Sequence, residues 1–184
     1  ATMRNGGSSD NVLFIRRLRG FDRELILVNV RKMQKLVKNL KWEASGSEWG
    51  DYSEFHNYSD DDHVLKEEFI RNAIVTEQPK TVWDIGCNTG QFSRIAAAKC
   101  SQVVSTDIDH VAVERLFLNP ETPKNILPLV QNLADPSPNW GWRNRERSDL
   151  QTRSRPDLVL CLALIHHVVI TTATPLAEFI DWLA

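Results

Sequence analysis

Residues 82–93 read V-W-D-I-G-C-N-T-G-Q-F-S: an apolar strand ending in an acid, then a glycine-punctuated turn that opens a helix. Residues 81–85 carry the β-branched and aromatic content of a strand buried on both faces of a parallel sheet. Gly86 and Gly90 have no Cβ, so the backbone can turn sharply there and a ligand can lie against it. Residues 91–100 read as the helix that follows. A strand–turn–helix of this kind marks a nucleotide-like site at the carboxyl edge of a doubly wound sheet. The spacing narrows the ligand. A dinucleotide fingerprint, G-x-G-x-x-G, sets a pyrophosphate against bare backbone amides. Here the pattern is D-x-G-x-x-x-G, and an acid before the first glycine repels phosphate and suits a ligand carrying an ammonium group. The alternative is a glycine-rich turn in some other α/β protein.

The next elements arrive in the order such a sheet needs. Residues 102–106 form a second apolar strand ended by Asp107, where an acid can accept both hydroxyls of a ribose. Asp109 could hold the ribose instead, or cap the helix near residues 110–117, and Asp107 is the favoured ligand. A third strand is expected at 126–131, followed by Asn132. A fourth, D-L-V-L-C-L-A-L at 157–164, runs into Ile165, His166 and His167. Helical spacing covers 21–41 and 60–75, and a short helical turn fits 149–153. Thr174 caps and Pro175 starts a last helix.

The string from Trp49 through W-D-I-G-C-N-T-G, D-P-S-P-x-x-G-W, E-R and L-A-L-I-H-H resembles the class I S-adenosylmethionine-dependent methyltransferases, within them a nodulation-protein-like bacterial branch, over residues 11–184. The resemblance implies an α/β, Rossmann-like class I methyltransferase sheet with flanking helices and a helical N-terminal extension. It divides the chain into a basic helix with an aromatic lid segment (1–60) and the cofactor-binding domain (61–184). It implies S-adenosyl-L-methionine as cofactor. Asp84, Gly86, Asn88 and Gly90 fall on the first motif, Asp107 is the ribose ligand, Ile108 floors the adenine, and Asn132 and Leu133 lie beside it. Asn132 stands where the family commonly has an aspartate; it keeps a carbonyl acceptor for the adenine amine and loses the charge. Tyr58, with Trp49, Tyr52 and Lys66, is the candidate lid over the methionine end, the alternative being that these side chains plug the flank of the sheet. In one respect the chain departs from the family: a fifth parallel strand and a closing hairpin, expected after the last helix, are lacking.

The 184 residues, 42% apolar and 25% charged, describe one ordinary globular core and no apolar run long enough to span a bilayer. Cys87, Cys100 and Cys161 lack metal-ligand spacing and read as reduced thiols of a cytoplasmic protein. Charge is uneven: residues 1–41 carry ten Lys and Arg against three acids, +7, which leaves −9 for the remainder of a chain with net charge −2. An amphipathic helix packed on the domain explains this, with a nucleic-acid or membrane-surface contact as the alternative.

Two further segments bear on the methyl acceptor. The connection 132–155 is long for a compact domain and carries Trp140, Trp142 and five arginines. These suit an anionic or hydroxyl-rich partner, a sugar or a nucleobase; alternatively Glu146 pairs with an arginine and the tryptophans anchor the loop. His166 and His167 follow the fourth strand, where one could act as general base for a hydroxyl acceptor or bury against the sheet. On an extended segment the two would point to opposite sides, which argues against a metal site. The expected function is methyl transfer from S-adenosylmethionine to a small-molecule or carbohydrate-like acceptor. The alternatives are a non-catalytic cofactor-binding subunit and an RNA methyltransferase.

Overall fold

The computed structural model describes residues 22–42 and 60–183. The chain divides into two units, Ala1–Glu43 and Ala44–Ala184, a boundary earlier than the 60/61 division read from the sequence. In the first unit the described element is α1, Arg23–Asn39, capped by Asp22, whose carboxylate accepts the Glu24 amide at 2.9 Å. None of its side chains is buried. No described helix is long and apolar enough to cross a membrane.

The second unit is an α/β sandwich. Its order is α2 (Asp60–Glu77), β1 (Thr81–Ile85), α3 (Gln91–Ala97), β2 (Gln102–Asp107), α4 (His110–Leu118), β3 (Ile126–Val130), α5 (Leu150–Arg153), β4 (Leu158–Cys161) and α6 (Leu176–Leu183). The four strands form one parallel sheet, ordered β3-β2-β1-β4. Pairing reverses direction at β1, so the gap between the carboxyl ends of β1 and its neighbours is where a crevice opens. Pro128, which has no N–H to donate, sits in β3 at the sheet edge, where that loss is tolerated.

Alternation along the strands builds two cores. Val82, Val103, Ile126 and Leu160 pack with Ile70 and Ile74 of α2, Ile95 and Ala96 of α3 and Leu116 of α4. Trp83, Ile85 and Val104 pack on the other face with Val168 and with Phe179 of α6. There the Trp182 ring lies 6.3 Å from Trp83 and 6.2 Å from Phe179. A sheet covered on both faces explains why β1 is buried along nearly its whole length. Asp157 ties the start of β4 to β1 by accepting the Lys80 and Thr81 amides at 2.9 and 2.8 Å, bonds that hold its carboxyl below the usual range.

Several expected boundaries move. α3 ends at Ala97, and β3 at Val130. β4 stops at Cys161 because Ala163 takes a positive φ of 56°, which an extended strand cannot contain. Residues 165–171 are helical, closing in a π-turn over His167–Thr171, where an extended segment was expected.

Candidate functional site

The carboxyl ends of all four strands border one cavity of about 440 Å³, large enough for a ligand of cofactor size. Its wall takes Gly86, Cys87 and Asn88 from the turn after β1 and Thr106, Asp107 and Ile108 from the end of β2. It takes residues 131–134 after β3, and residues 162–164 with His167 and Val168 after β4. Helix α2 adds His63 and Lys66.

Asp107 organises the rim. One carboxylate oxygen accepts the Asn88 amide at 2.8 Å, and the other accepts the Asp109 amide at 2.9 Å. It thus clamps the turn after β1 to the tip of β2. A carboxylate has about four lone-pair sites, so two remain for hydroxyl donors. Ile108 is 59% exposed and gives the cavity an apolar shelf. Asp109 is turned away: its carboxylate accepts the Val111 and Ala112 amides and caps α4, which settles its role in favour of the cap. Asn132 spends a carbonyl lone pair on the Ala134 amide at 3.0 Å, tightening the loop that carries Leu133.

Two first-motif residues do not line the cavity. Asp84 lies on the Val82 side of β1 because side chains alternate along a strand, and that side faces α3. There it is 2% exposed and accepts the Ser93 hydroxyl, which itself accepts from Ser105 at 2.8 Å. Burial, opposed by the Ser93 bond and reinforced by the Asp107 charge, pushes the Asp84 carboxyl up to about 6. Gly90 is buried beside Leu116: a Cβ there would fall 2.6 Å from Leu116 Cδ1, and its φ is +80°. Its bareness therefore serves packing between the turn and α4 rather than approach of a ligand.

The histidines separate by role, not by strand alternation. Within the helical turn their rings are 4.0 Å apart. His167 lines the cavity; His166 is exposed and does not. Partial burial and the neighbouring His166 lower the His167 pKa, with Asp107 pulling the other way. An imidazole so placed is neutral near pH 7 and able to take a proton. The Cys87 thiol, raised far above its usual range by burial and by Asp84 and Asp107, stays protonated. Tyr58, Trp49 and Tyr52 lie outside the described residues. Of the lid candidates Lys66 is on the wall. Sequence reasoning did not reach His63, Phe92, Thr106, Leu162 or Leu164; the last two had a usable signal, since residues just past a parallel strand's carboxyl end face the crevice.

A parallel sheet with this order, an acid clamping its first turn from the tip of the second strand, and a cavity across the reversal point define a Rossmann-like, nucleoside-binding α/β domain. The chain belongs to the methyltransferase domain family, whose model matches residues 58–182. It is 35% identical over 138 residues to the nodulation protein NoeA of Rhizobium meliloti (strain 1021), covering 74% of this chain and 29% of that protein. The chain thus spans under a third of the length of this relative. Among solved structures it is similar to the N-methyltransferase NodS from Bradyrhizobium japonicum WM9 (17% identity, TM-score 0.33, 37% of this chain and 39% of that one). It is also similar to an O-methyltransferase from Bacillus cereus in complex with SAH (15% identity, TM-score 0.36, 53% and 48%).

The cofactor of this class is S-adenosylmethionine, and the donor set fits it. Among the described residues the wall holds a carboxylate with lone pairs to spare, an apolar shelf, Lys66 as its lysine and no arginine, and a second carboxylate is buried behind it. That chemistry suits a cationic, ribose-bearing, phosphate-free ligand.

Proposed function

We propose that this chain transfers the methyl group of S-adenosylmethionine to a hydroxyl-bearing, small-molecule or carbohydrate-like acceptor. What supports the reading is the convergence of Gly86, Asn88, Asp107, Ile108, Asn132, Leu133 and His167 on one cavity, although they come from four separate strand ends. Asp107 would hold the ribose, Ile108 and Leu133 the adenine, and the Gly86–Asn88 backbone the amino-acid end. When bound, the cofactor supplies an electrophilic methyl carbon on a sulfonium that is already a good leaving group. The remaining work is alignment and exclusion of water. Leu162, Leu164 and Val168 provide the apolar surroundings, and His167, on the same wall, would take the proton of an acceptor hydroxyl. The buried Asp84 acts behind the wall, holding α3 against β1 through Ser93 and adding negative potential under the cation.

The test is turnover of methyl-labelled cofactor with small metabolites, oligosaccharides and RNA, together with calorimetry of the demethylated cofactor. Turnover on a metabolite or saccharide is expected, and Asp107→Ala should weaken cofactor binding at least tenfold, about 1–3 kcal/mol for charge-assisted hydrogen bonds. Turnover on RNA alone would overturn the acceptor class. Binding without turnover on any acceptor would leave a cofactor-binding subunit, and unchanged affinity in Asp107→Ala would remove Asp107 from the site.

A further inference from the structure

The loop from β3 to β4 leaves the cavity wall at Ala134 and folds into a compact turn at residues 140–147. Trp140 and Arg147 form an antiparallel bridge: the Trp140 amide donates to the Arg147 carbonyl at 2.8 Å, and the Arg147 amide donates back at 3.1 Å. The Arg147 guanidinium lies 5.9 Å above the Trp140 ring. Inside the bridge, Gly141 has φ +86°, and a Cβ there would collide with Glu146, whose side chain folds beneath it. Arg143 and Asn144 follow with φ of 57° and 56°, two consecutive non-glycine residues in the left-handed region. Such conformations are costly and persist only where the surroundings over-determine them, which makes them pointers to function.

The strained turn keeps Trp142 78% exposed, and the exposed Arg143 and Arg145 follow it one and three residues on. Among the described residues neither guanidinium has a hydrogen-bond or ion-pair partner, and Glu146 is turned toward Gly141 instead. A large apolar ring held in water, on the same turn as two exposed guanidinium forks, is a costly surface to maintain for packing alone. Five residues separate Ala134 from Trp140, a span of at most about 22 Å, so a ligand a few rings long can bridge the turn and the cavity.

We propose that residues 140–147 form the acceptor-recognition surface, and that it takes a carboxylate-bearing oligosaccharide of the uronic-acid type. Trp142 would stack on a sugar ring, and Arg143 and Arg145 would receive carboxylates in bidentate fashion. A saccharide hydroxyl as methyl acceptor agrees with the neutral imidazole of His167 at the cavity. Nucleic acid fits less well: the chain has net charge −2, and the connection 132–155 carries five arginines against three acids, too few for a phosphate-tracking groove. As an acceptor surface the turn rests on the methyltransferase reading; as a saccharide-binding surface it does not.

The experiment is binding of tetragalacturonate to the whole chain without cofactor, followed by tryptophan fluorescence and calorimetry, with cellotetraose and octauridylate as comparison ligands. Tetragalacturonate should bind, with at least tenfold loss in Trp142→Ala and in Arg145→Gln and recovery in Trp142→Phe. Affinity for the demethylated cofactor should be unchanged in all three variants. Arg145→Gln alters an exposed side chain, so its loss of binding can be read even where Trp142→Ala perturbs folding. Equal affinity for cellotetraose would overturn the anionic ligand, binding of octauridylate alone would overturn the saccharide, and binding of none would overturn the surface. Saccharide binding in a chain that fails to bind cofactor would sink the methyltransferase reading and the acceptor role with it, and leave the saccharide-binding surface standing.

Discussion

Adjacent histidines become distinguishable only by which one the backbone turns toward the cavity. His167 is on the wall with a lowered pKa, and His166 is outside it. His167→Ala should therefore cut turnover at least tenfold while leaving cofactor affinity intact, whereas His166→Ala should retain most of the rate. With His167 as the proposed base its neutral form would be the active one, so the rate should rise with pH and level off below the pH typical of an exposed histidine. A profile identical in wild type and His167→Ala would dismiss it as the base. At Gly90 the expectation concerns folding. Gly90→Ala combines a left-handed backbone with a methyl group driven into Leu116, which should cost about 2–4 kcal/mol in urea unfolding. Pairing it with Leu116→Ala should relieve the clash and leave the backbone cost, giving a measurable non-additivity.

At the scale of elements, the site depends on how firmly each strand end is fastened to the next. The Gly86 and Cys87 amides continue the ladder to the Thr106 carbonyl at 2.8 and 3.0 Å, and the Gln131 amide reaches the Asp107 carbonyl at 2.8 Å. Asp109 then starts α4 immediately beyond Asp107. Its loss in Asp109→Ala leaves two amides at the helix start without acceptors, for about 1–2 kcal/mol of stability. The variant keeps the backbone amide that Asp107 accepts, so cofactor binding should weaken by a few-fold at most, through the loosened helix start, and less than in Asp107→Ala. An affinity loss equal to that of Asp107→Ala would mean that Asp109 reaches the ligand itself. The strands were legible from their β-branched runs, and the caps from aspartates just ahead of helical spacing. The short β4 and the helical turn after it were not. Both follow from Ala163 in the left-handed region, a conformation that no local residue preference announces.

For the molecule as a whole, the most consequential group is a charge that the fold encloses. Asp84 titrates near 6 in the folded state and near 4 when unfolded, so the folded chain holds this proton more tightly. Its contribution to stability is complete below about pH 4 and is lost as the pH rises through about 6, some 3 kcal/mol over the window. Asp84→Asn keeps the acceptor for Ser93 and removes the titration. Its stability relative to wild type should therefore increase from pH 4.5 to 7.5, measured by urea unfolding, while cofactor affinity at pH 7.5 falls. A stability difference that stays flat with pH would show that Asp84 does not carry a perturbed proton.

The sequence by itself determined the strand–turn–helix, the acid at the tip of β2 and the resemblance that names the cofactor, because these are local patterns of apolar period, glycine and capping acid. Only the tertiary structure decided which of those residues meet. Strand alternation sent Asp84 under the sheet, Leu116 claimed the space at Gly90, and a helical turn set His167, not His166, against the cavity. Each outcome depends on a neighbour distant in the chain, and such neighbours leave no trace in local spacing.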